Sequence, residues 1–184
     1  MGFIQEDKYR KWGVDNKAPA INGSGDDILD GGAGDDFLYG GAGNDILRPG
    51  TGFNHLDGGD GLDTVDYTGL EQSVYVDLST GIDSFGNTLI SIEQARLGAA
   101  GGTVIGGNTS NVFYGDAGND TIIGGGGNDT LYGGGGEDYG SFRANNAQNY
   151  SFFDGGEDFD FFELNGGGDF LLFEDYITTQ SGIA

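Results

Sequence analysis

Apolar residues recur every nine positions near the start of the chain. From residue 22 the sequence divides into five consecutive units of nine, and the eighth position of each is Leu29, Leu38, Leu47, Leu56 or Val65. Alternate residues of a strand face opposite sides, so one apolar residue per unit predicts a very short strand with a single inward side chain. The period therefore predicts a repetitive all-β structure rather than helices.

The remaining positions of each unit have the composition of a turn. The second position is Gly23, Gly32, Gly41, Gly50 or Gly59, the fourth is Gly25, Gly34, Gly43, Gly52 or Gly61, and the sixth is Asp27, Asp36, Asp45, Asn54 or Asp63. Glycine adopts positive φ without steric cost and leaves room for backbone carbonyls to converge. Each unit is thus predicted to be a glycine turn followed by a short strand.

A second block begins at Gly106 in its own register. Its sixth positions are Asn111, Asp120, Asp129 and Asp138, and its eighth positions are Phe113, Ile122, Leu131 and then Gly140, where the pattern fails. The preceding segment, residues 97–105, keeps the spacing and loses the aspartate.

These units resemble the calcium-binding nonapeptide repeat of RTX (repeats-in-toxin, hemolysin-type) proteins, G-G-x-G-x-D-x-U-x, over residues 22–141. The units Gly31–Tyr39, Gly40–Arg48 and Gly124–Tyr132 match the pattern in full. The resemblance implies a right-handed parallel β-roll, or β-solenoid, with two parallel sheets, a thin aliphatic core and turns along both edges. Two units form one turn of that roll, so units 18 residues apart are expected to stack.

Stacking would bring the sixth-position side chains close together. Two carboxylates at the inter-strand spacing of about 4.8 Å repel each other by roughly 3–4 kcal/mol at an effective dielectric constant near 20. One small inward residue per nine contributes about 1.5–3 kcal/mol, against about 1–2 kcal/mol of backbone entropy for each residue. We therefore expect the chain to be unfolded without a cation.

Calcium is the cation that this ligand set fits, because Ca²⁺ takes 6–8 oxygen ligands from carboxylates and carbonyls in flexible geometry. Magnesium requires a stricter octahedron, and zinc and copper prefer nitrogen or sulfur. We expect about five sites, at the stacked pairs Asp27/Asp45, Asp45/Asp63, Asp120/Asp138, Asp36/Asn54 and Asn111/Asp129, with the two mixed pairs weaker. The expected carbonyl ligands belong to Gly23, Gly25, Gly32, Gly34, Gly41, Gly43, Gly59, Gly61, Gly118, Gly125, Gly127, Gly134 and Gly136.

The rest of the chain divides around the two blocks. We assign residues 1–20 to an N-terminal tail or cap, 21–66 to the first block, 67–96 to a spacer that continues the solenoid, 97–141 to the second block and 142–184 to an aromatic C-terminal cap. The spacer is expected to hold no metal of its own, with a separate ligand-binding insertion as the alternative. The C-terminal segment has two further interpretations, a binding face for sugars or partners and part of an export signal.

Charge excludes some classes of partner. The chain carries 30 Asp and Glu residues against 7 Lys and Arg, a formal net charge of -23, and phosphate binding requires clustered basic residues. We therefore expect no nucleic-acid partner, and an anionic membrane surface is disfavoured. No stretch approaches the roughly 20 apolar residues of a transmembrane helix. Cysteine is absent, so neither disulfides nor thiolate metal sites are expected.

Catalysis has little support in the sequence. His55 is the single histidine and occupies an outward seventh position, and neither an HExxH helix nor a G-x-S-x-G elbow is present. The sequence predicts a non-enzymatic, secreted calcium-binding structural or adhesive protein, found extracellularly or at a cell surface. Its resemblance to RTX proteins, and an N-terminus unlike a Sec signal, imply export by type I secretion machinery. Two alternatives remain: a self-assembling surface-layer or filament subunit, and a polysaccharide-binding accessory module of an enzyme system.

Overall fold

The computed structural model describes residues 10–11, 19–21, 23–143, 150–158, 160–165 and 170–173. The described part contains strands and turns and no helix. The strands are β1 (Arg10–Lys11), β2 (Pro19–Ile21), β3 (Ile28–Asp30), β4 (Phe37–Ala42), β5 (Ile46–Arg48), β6 (His55–Asp60), β7 (Thr64–Asp66), β8 (Val74–Asp77), β9 (Ile82–Asp83), β10 (Thr88–Ile90), β11 (Gln94–Gly98), β12 (Gly102–Ile105), β13 (Val112–Ala117), β14 (Thr121–Gly125), β15 (Thr130–Gly135), β16 (Tyr139–Arg143), β17 (Tyr150–Glu157), β18 (Phe161–Asn165) and β19 (Phe170–Phe173).

The strands form two sheets that the chain visits in alternation through the repeats. Sheet one has the order β1-β3-β5-β7-β11-β13-β15-β17-β19, and sheet two has the order β18-β16-β14-β12-β8-β9-β10-β6-β4-β2. Pairing is parallel throughout except at β9, which runs antiparallel to both β8 and β10. The chain is therefore an all-β solenoid of about seven turns, as the period predicts.

The pairing register confirms that units 18 residues apart stack. Ile28 pairs with Ile46 in sheet one, and Leu38 pairs with Leu56 in sheet two. Longer offsets occur elsewhere, and among them Thr64 pairs with Gln94, His55 with Thr88 and Thr130 with Phe152. Several strands extend beyond the last residues of their unit, because the glycines that begin the next unit also pair, as Gly41 does with Gly59.

The eighth-position side chains form the core between the two sheets. Those of the first block are at most 1% exposed, and Phe113, Ile122 and Leu131 are fully buried. Gly140, the position where the apolar pattern fails, faces the ring of Phe153, and a Cβ there would overlap that ring. The aromatic segment thus fills the space that a missing apolar side chain would have taken.

The spacer keeps the solenoid continuous, but one of its strands, β9, runs opposite to its two neighbours. Val74 and Val76 of β8 are buried and Tyr75 between them is exposed, so β8 is a half-buried strand. β8 pairs with β12 of the second block, β10 pairs with β6 of the first, and β9 lies antiparallel between them. Most of the N-terminal segment, including Trp12, and residues 174–184 of the expected export signal lie outside the described residues.

Candidate metal-binding turns

Sixth-position side chains stack in columns along both edges of the solenoid. In each of the five predicted pairs, the backbone amide of the earlier residue donates a hydrogen bond to Oδ1 of the residue 18 positions later. The N to Oδ1 distances are 2.8 Å for Asp27/Asp45, 2.7 Å for Asp45/Asp63, 2.8 Å for Asp36/Asn54, 3.0 Å for Asn111/Asp129 and 2.8 Å for Asp120/Asp138. The structure therefore brings all nine predicted side chains into stacked pairs.

The second carboxylate oxygen has no such partner in several of these residues. Oδ2 of Asp36, Asp45, Asp63 and Asp138 is buried and accepts no hydrogen bond. Asp120 has neither oxygen satisfied. A buried polar atom without a partner costs about 1–3 kcal/mol, and more when it is charged, so such atoms usually mark a ligand or an ion.

Burial also changes the acidity of these carboxyls. Burial, together with the charges of Asp45, Glu93 and Asp57, raises the pKa of Asp63 to about 6, although the Asp45 amide lowers it. Burial, with the charges of Asp138 and Asp116, raises the pKa of Asp120 to about 7 against the nearby Gly102 amide.

Three further column carboxyls shift in the same direction. Burial and the charges of Asp160 and Asp158 raise the pKa of Asp138 to about 6, although the Asp120 amide lowers it. Burial likewise raises the pKa values of Asp36 and Asp45. A neighbouring cation would favour the ionised form of each carboxyl group and so lower its pKa again.

Glycine at the first position of each unit leaves the space in which the unpartnered oxygens lie. A Cβ on Gly40 would overlap Asp45 Oδ2 and approach the carbonyl oxygen of Gly58 on the next turn. Gly115 and Gly133 have the same relation to Asp120 and Asp138. The sequence prediction did not include these glycines as site residues, although their repetition every nine residues was a signal for them.

The predicted carbonyl-bearing glycines line the same turns. All except Gly23 have positive φ, from 80° at Gly32 to 150° at Gly61. Several of these carbonyls face the glycine of the next turn: a Cβ on Gly61 would overlap the oxygen of Gly43, and one on Gly136 would overlap the oxygen of Gly118. The carbonyls of Gly23 and Gly32 accept amide hydrogen bonds from Ala42 and Thr51.

The columns continue beyond the residues that the sequence predicted. The amide of Asn54 donates to Asn87 Oδ1 at 2.7 Å, and that of Asp63 donates to Glu93 Oε2 at 3.1 Å. The amide of Asp129 donates to Ser151 Oγ at 3.1 Å, and that of Asp138 donates to Asp160 Oδ1 at 3.0 Å. Inserted residues break the 18-residue spacing at these steps, which hides them from a search by period.

The donor set of these turns fits a hard cation. Among the described residues, no group of three or more His, Cys, Asp or Glu side chains converges on one point, so carbonyls would supply the remaining ligands. His55 lies away from the turns, with Nδ1 2.6 Å from Thr88 Oγ1 and its ring near Phe37 and Tyr39. Paired carboxylates with carbonyls suit calcium rather than zinc or copper.

Fold and turns together define a parallel β-solenoid with oxygen-rich, glycine-built turns. The sequence profile of the RTX calcium-binding nonapeptide repeat matches this chain in four copies, over residues 21–53 and 105–139. Each block therefore contains a segment that matches the RTX repeat, a repeat that binds calcium in that family. A search of curated proteins finds no match to the chain. Within the part that the structure describes, no helix is long and apolar enough to span a membrane.

Proposed function

We propose that this chain is an extracellular calcium-binding structural or adhesive protein that folds when it binds calcium after secretion. The observation that carries the proposal is the set of buried carboxylate oxygens without a hydrogen-bond donor, at Asp36, Asp45, Asp63, Asp120 and Asp138. Calcium would give each of these oxygens a partner and neutralise the stacked charges. Binding free energy would then become folding free energy, because a disordered chain does not hold the turns together.

The sixth-position side chains of successive turns would hold the ions, together with carbonyls of the predicted glycines. Asp45 belongs to two pairs, Asp27/Asp45 and Asp45/Asp63, and would contribute to both sites. The pairs Asp36/Asn54 and Asn111/Asp129 have one charge fewer and would bind more weakly. These five pairs give the proposed number of about five sites.

Calcium concentration would determine where the chain folds. Extracellular calcium modules bind with dissociation constants of about 10⁻⁴–10⁻³ M, far above the free calcium inside a cell. With a formal net charge of -23, the metal-free chain would stay expanded and suited to export through type I secretion machinery. Outside the cell, mass action would drive folding.

The positions of the buried aspartates among the described residues agree with a non-catalytic role. The buried aspartates belong to the stacked columns or to the hydrogen-bond network of the spacer, and RTX solenoids are typically structural. Calcium would therefore act as a structural ion, and the biological activity would depend on the folded surface.

A calcium titration followed by far-UV circular dichroism tests the proposal. We expect a disordered spectrum in EGTA, a cooperative change to a β spectrum with a midpoint of about 10⁻⁴–10⁻³ M calcium, and little change at equal magnesium. A β spectrum that is the same in EGTA and in calcium would contradict calcium-coupled folding.

Self-assembly is the second candidate, because sheet two exposes large apolar side chains. Phe37, Ile82, Ile90 and Phe161 are 43%, 49%, 44% and 57% exposed. Large apolar side chains left exposed on one sheet favour an interface at that sheet. Light scattering that rises with added calcium and no other partner would favour a surface-layer or filament subunit. Binding of a soluble glycan by a chain that stays monomeric would favour the accessory-module alternative.

A further inference from the structure

We infer that one more cation site lies between the turns that contain Asp138 and Asp160, beyond the repeats that the family profile matches. The matched segment ends at residue 139, and the next turn, residues 155–160, has the sequence Gly-Gly-Glu-Asp-Phe-Asp. This inference rests on the proposed function, since it assumes that stacked carboxylates of this chain bind calcium. It extends the calcium-dependent part of the solenoid into the aromatic segment.

The turn at 155–160 reproduces the relations seen in the predicted pairs. The amide of Asp138 donates to Asp160 Oδ1 at 3.0 Å, and the amide of Phe161 donates to the carbonyl of Asp138 at 2.7 Å. Gly134 pairs with Gly156, which has a φ of 92°. An offset of 22 residues replaces the usual 18, and the stack continues across this longer step.

An unpartnered atom points into this turn. Asp138 is 3% exposed, and its Oδ2 is buried without a hydrogen bond. A Cβ on Gly133 would overlap this oxygen and would lie close to the carbonyl oxygen of Gly155 on the next turn. The same relation joins Asp45 Oδ2, Gly40 and the Gly58 carbonyl in the first block. Asp138 Oδ2, the Gly155 carbonyl and the Asp160 carboxylate therefore form an oxygen cradle of the same kind.

Asp160 completes the cradle from the other side. A Cβ on Gly155 would overlap Asp160 Oδ2, so the first-position glycine is required here as in the matched repeats. Asp158 occupies the fourth position with a φ of 87°, where the repeat has glycine, and its Oδ2 accepts the amide of Gly136 at 3.2 Å. This side chain fastens the two turns together and brings a further negative charge to the site.

Calcium stoichiometry of the full chain, measured by equilibrium dialysis at saturating calcium, tests the inference. Asp160→Ala is expected to bind one ion fewer than the unaltered chain, Asp120→Ala one fewer and Asp138→Ala two fewer, because Asp138 belongs to both pairs. Glu157→Ala is the matched control, since it removes one charge from an exposed side chain of the same turn. It should leave the number unchanged.

Hydrogen exchange distinguishes loss of the site from general unfolding. In saturating calcium, Asp160→Ala should exchange faster in peptides covering residues 150–165 and keep the protection of residues 28–66. Asp160→Asn retains the Oδ1 acceptor for the Asp138 amide and should weaken a single site at least tenfold. Unchanged stoichiometry in Asp160→Ala together with unchanged affinity in Asp160→Asn would overturn the inference. Absence of calcium binding by the unaltered chain would instead contradict the proposed function.

Discussion

The repeat blocks and the spacer bury carboxylates in two different ways. Asp83 of the spacer is 6% exposed and accepts four hydrogen bonds, from the Tyr67 hydroxyl at 2.6 Å, Asn87 Nδ2 at 2.7 Å, and the amides of Phe85 and Asn87, both at 2.9 Å. Asp63 of the first block is fully buried, but its Oδ2 accepts none. The spacer satisfies its buried charge with its own donors, whereas the repeat leaves Oδ2 of Asp63 without one, where the proposed calcium would bind.

The acidity of neighbouring carboxyls follows the same division. Burial raises the pKa of Asp66, but hydrogen bonds from Thr68 and the Arg48 guanidinium outweigh it, so the pKa is lowered. Arg48 Nε lies 2.8 Å from Asp66 Oδ2. Three residues earlier, Asp63 has no cationic partner and its pKa is raised to about 6. Asp66 at the end of the first block thus resembles Asp83 of the spacer in having donors within the chain, whereas Asp63 Oδ2 has none.

The largest expected effect comes from Asp45, which belongs to two stacked pairs. Asp45→Ala removes a ligand from two sites and leaves the Asp27 amide without its acceptor, an additional cost of about 1–3 kcal/mol. We expect the calcium midpoint of folding to rise at least tenfold, roughly 1.4 kcal/mol or more, against about threefold for Asp36→Ala. Circular dichroism titrations measure both. Equal effects of the two variants would contradict the shared role of Asp45.

Gly40→Ala tests the cradle itself, without changing any charge. The new Cβ would overlap Asp45 Oδ2, and Gly40 does not have positive φ, so the effect is steric. We expect a loss of calcium affinity of roughly tenfold, from one perturbed ligand. Gly135→Ala is the matched control, because a Cβ there meets nothing within 4 Å and its φ is also not positive. Similar calcium midpoints for the two variants would show that first-position glycine does not shape the site.

Acid should partly replace calcium in the repeats. Asp63 and Asp138 have folded-state pKa values of about 6, and Asp120 of about 7, against an ordinary value of 3.8. Between about pH 7 and pH 4 the metal-free fold therefore binds more protons than the unfolded chain, and its stability rises as pH falls. We expect β structure in EGTA to increase from pH 7.5 to pH 4.5. A disordered spectrum that stays constant over that range would contradict the raised pKa values of these carboxyl groups in the fold.

The smallest effect on calcium binding is expected in the spacer. Tyr67→Phe removes one of four hydrogen bonds to Asp83 and should lower the free energy of unfolding in saturating calcium by about 1–3 kcal/mol. Urea unfolding measures this loss, with the exposed Tyr75→Phe as control. The number of bound calcium ions should not change. A lost ion would mean that the spacer takes part in metal binding.

The period of nine predicted the solenoid and the stacked pairs because both follow from local repetition. Once units 18 residues apart pair, the inward position of Leu38 and the contact of Asp45 with Asp63 are geometric consequences. Glycine also recurs at the first position of the units, as at Gly40. The role of Gly40, however, depends on the position of Asp45 Oδ2, which the period does not specify.

Features that depend on non-local contacts were not predictable in this way. The reversal at β9 is associated with Asp83, whose partners Tyr67 and Asn87 lie 16 and 4 residues away in no repeating pattern. Glu93 and Asp160 continue the columns at offsets of 30 and 22 residues, and insertions of arbitrary length conceal such offsets. The packing of Phe153 over Gly140 likewise joins the second block to the aromatic segment that follows it.

Sedimentation velocity of the full chain, in EGTA, in millimolar calcium and in millimolar magnesium, tests the central claim most directly. If buried carboxylate oxygens need calcium as their partner, the chain should sediment slowly as an expanded monomer in EGTA and in magnesium, and faster at unchanged mass in calcium. Growth to large species in calcium alone would still show calcium-dependent folding and would move the biological role toward assembly. An identical sedimentation coefficient and mass in all three solutions would contradict the claim that calcium holds this solenoid together.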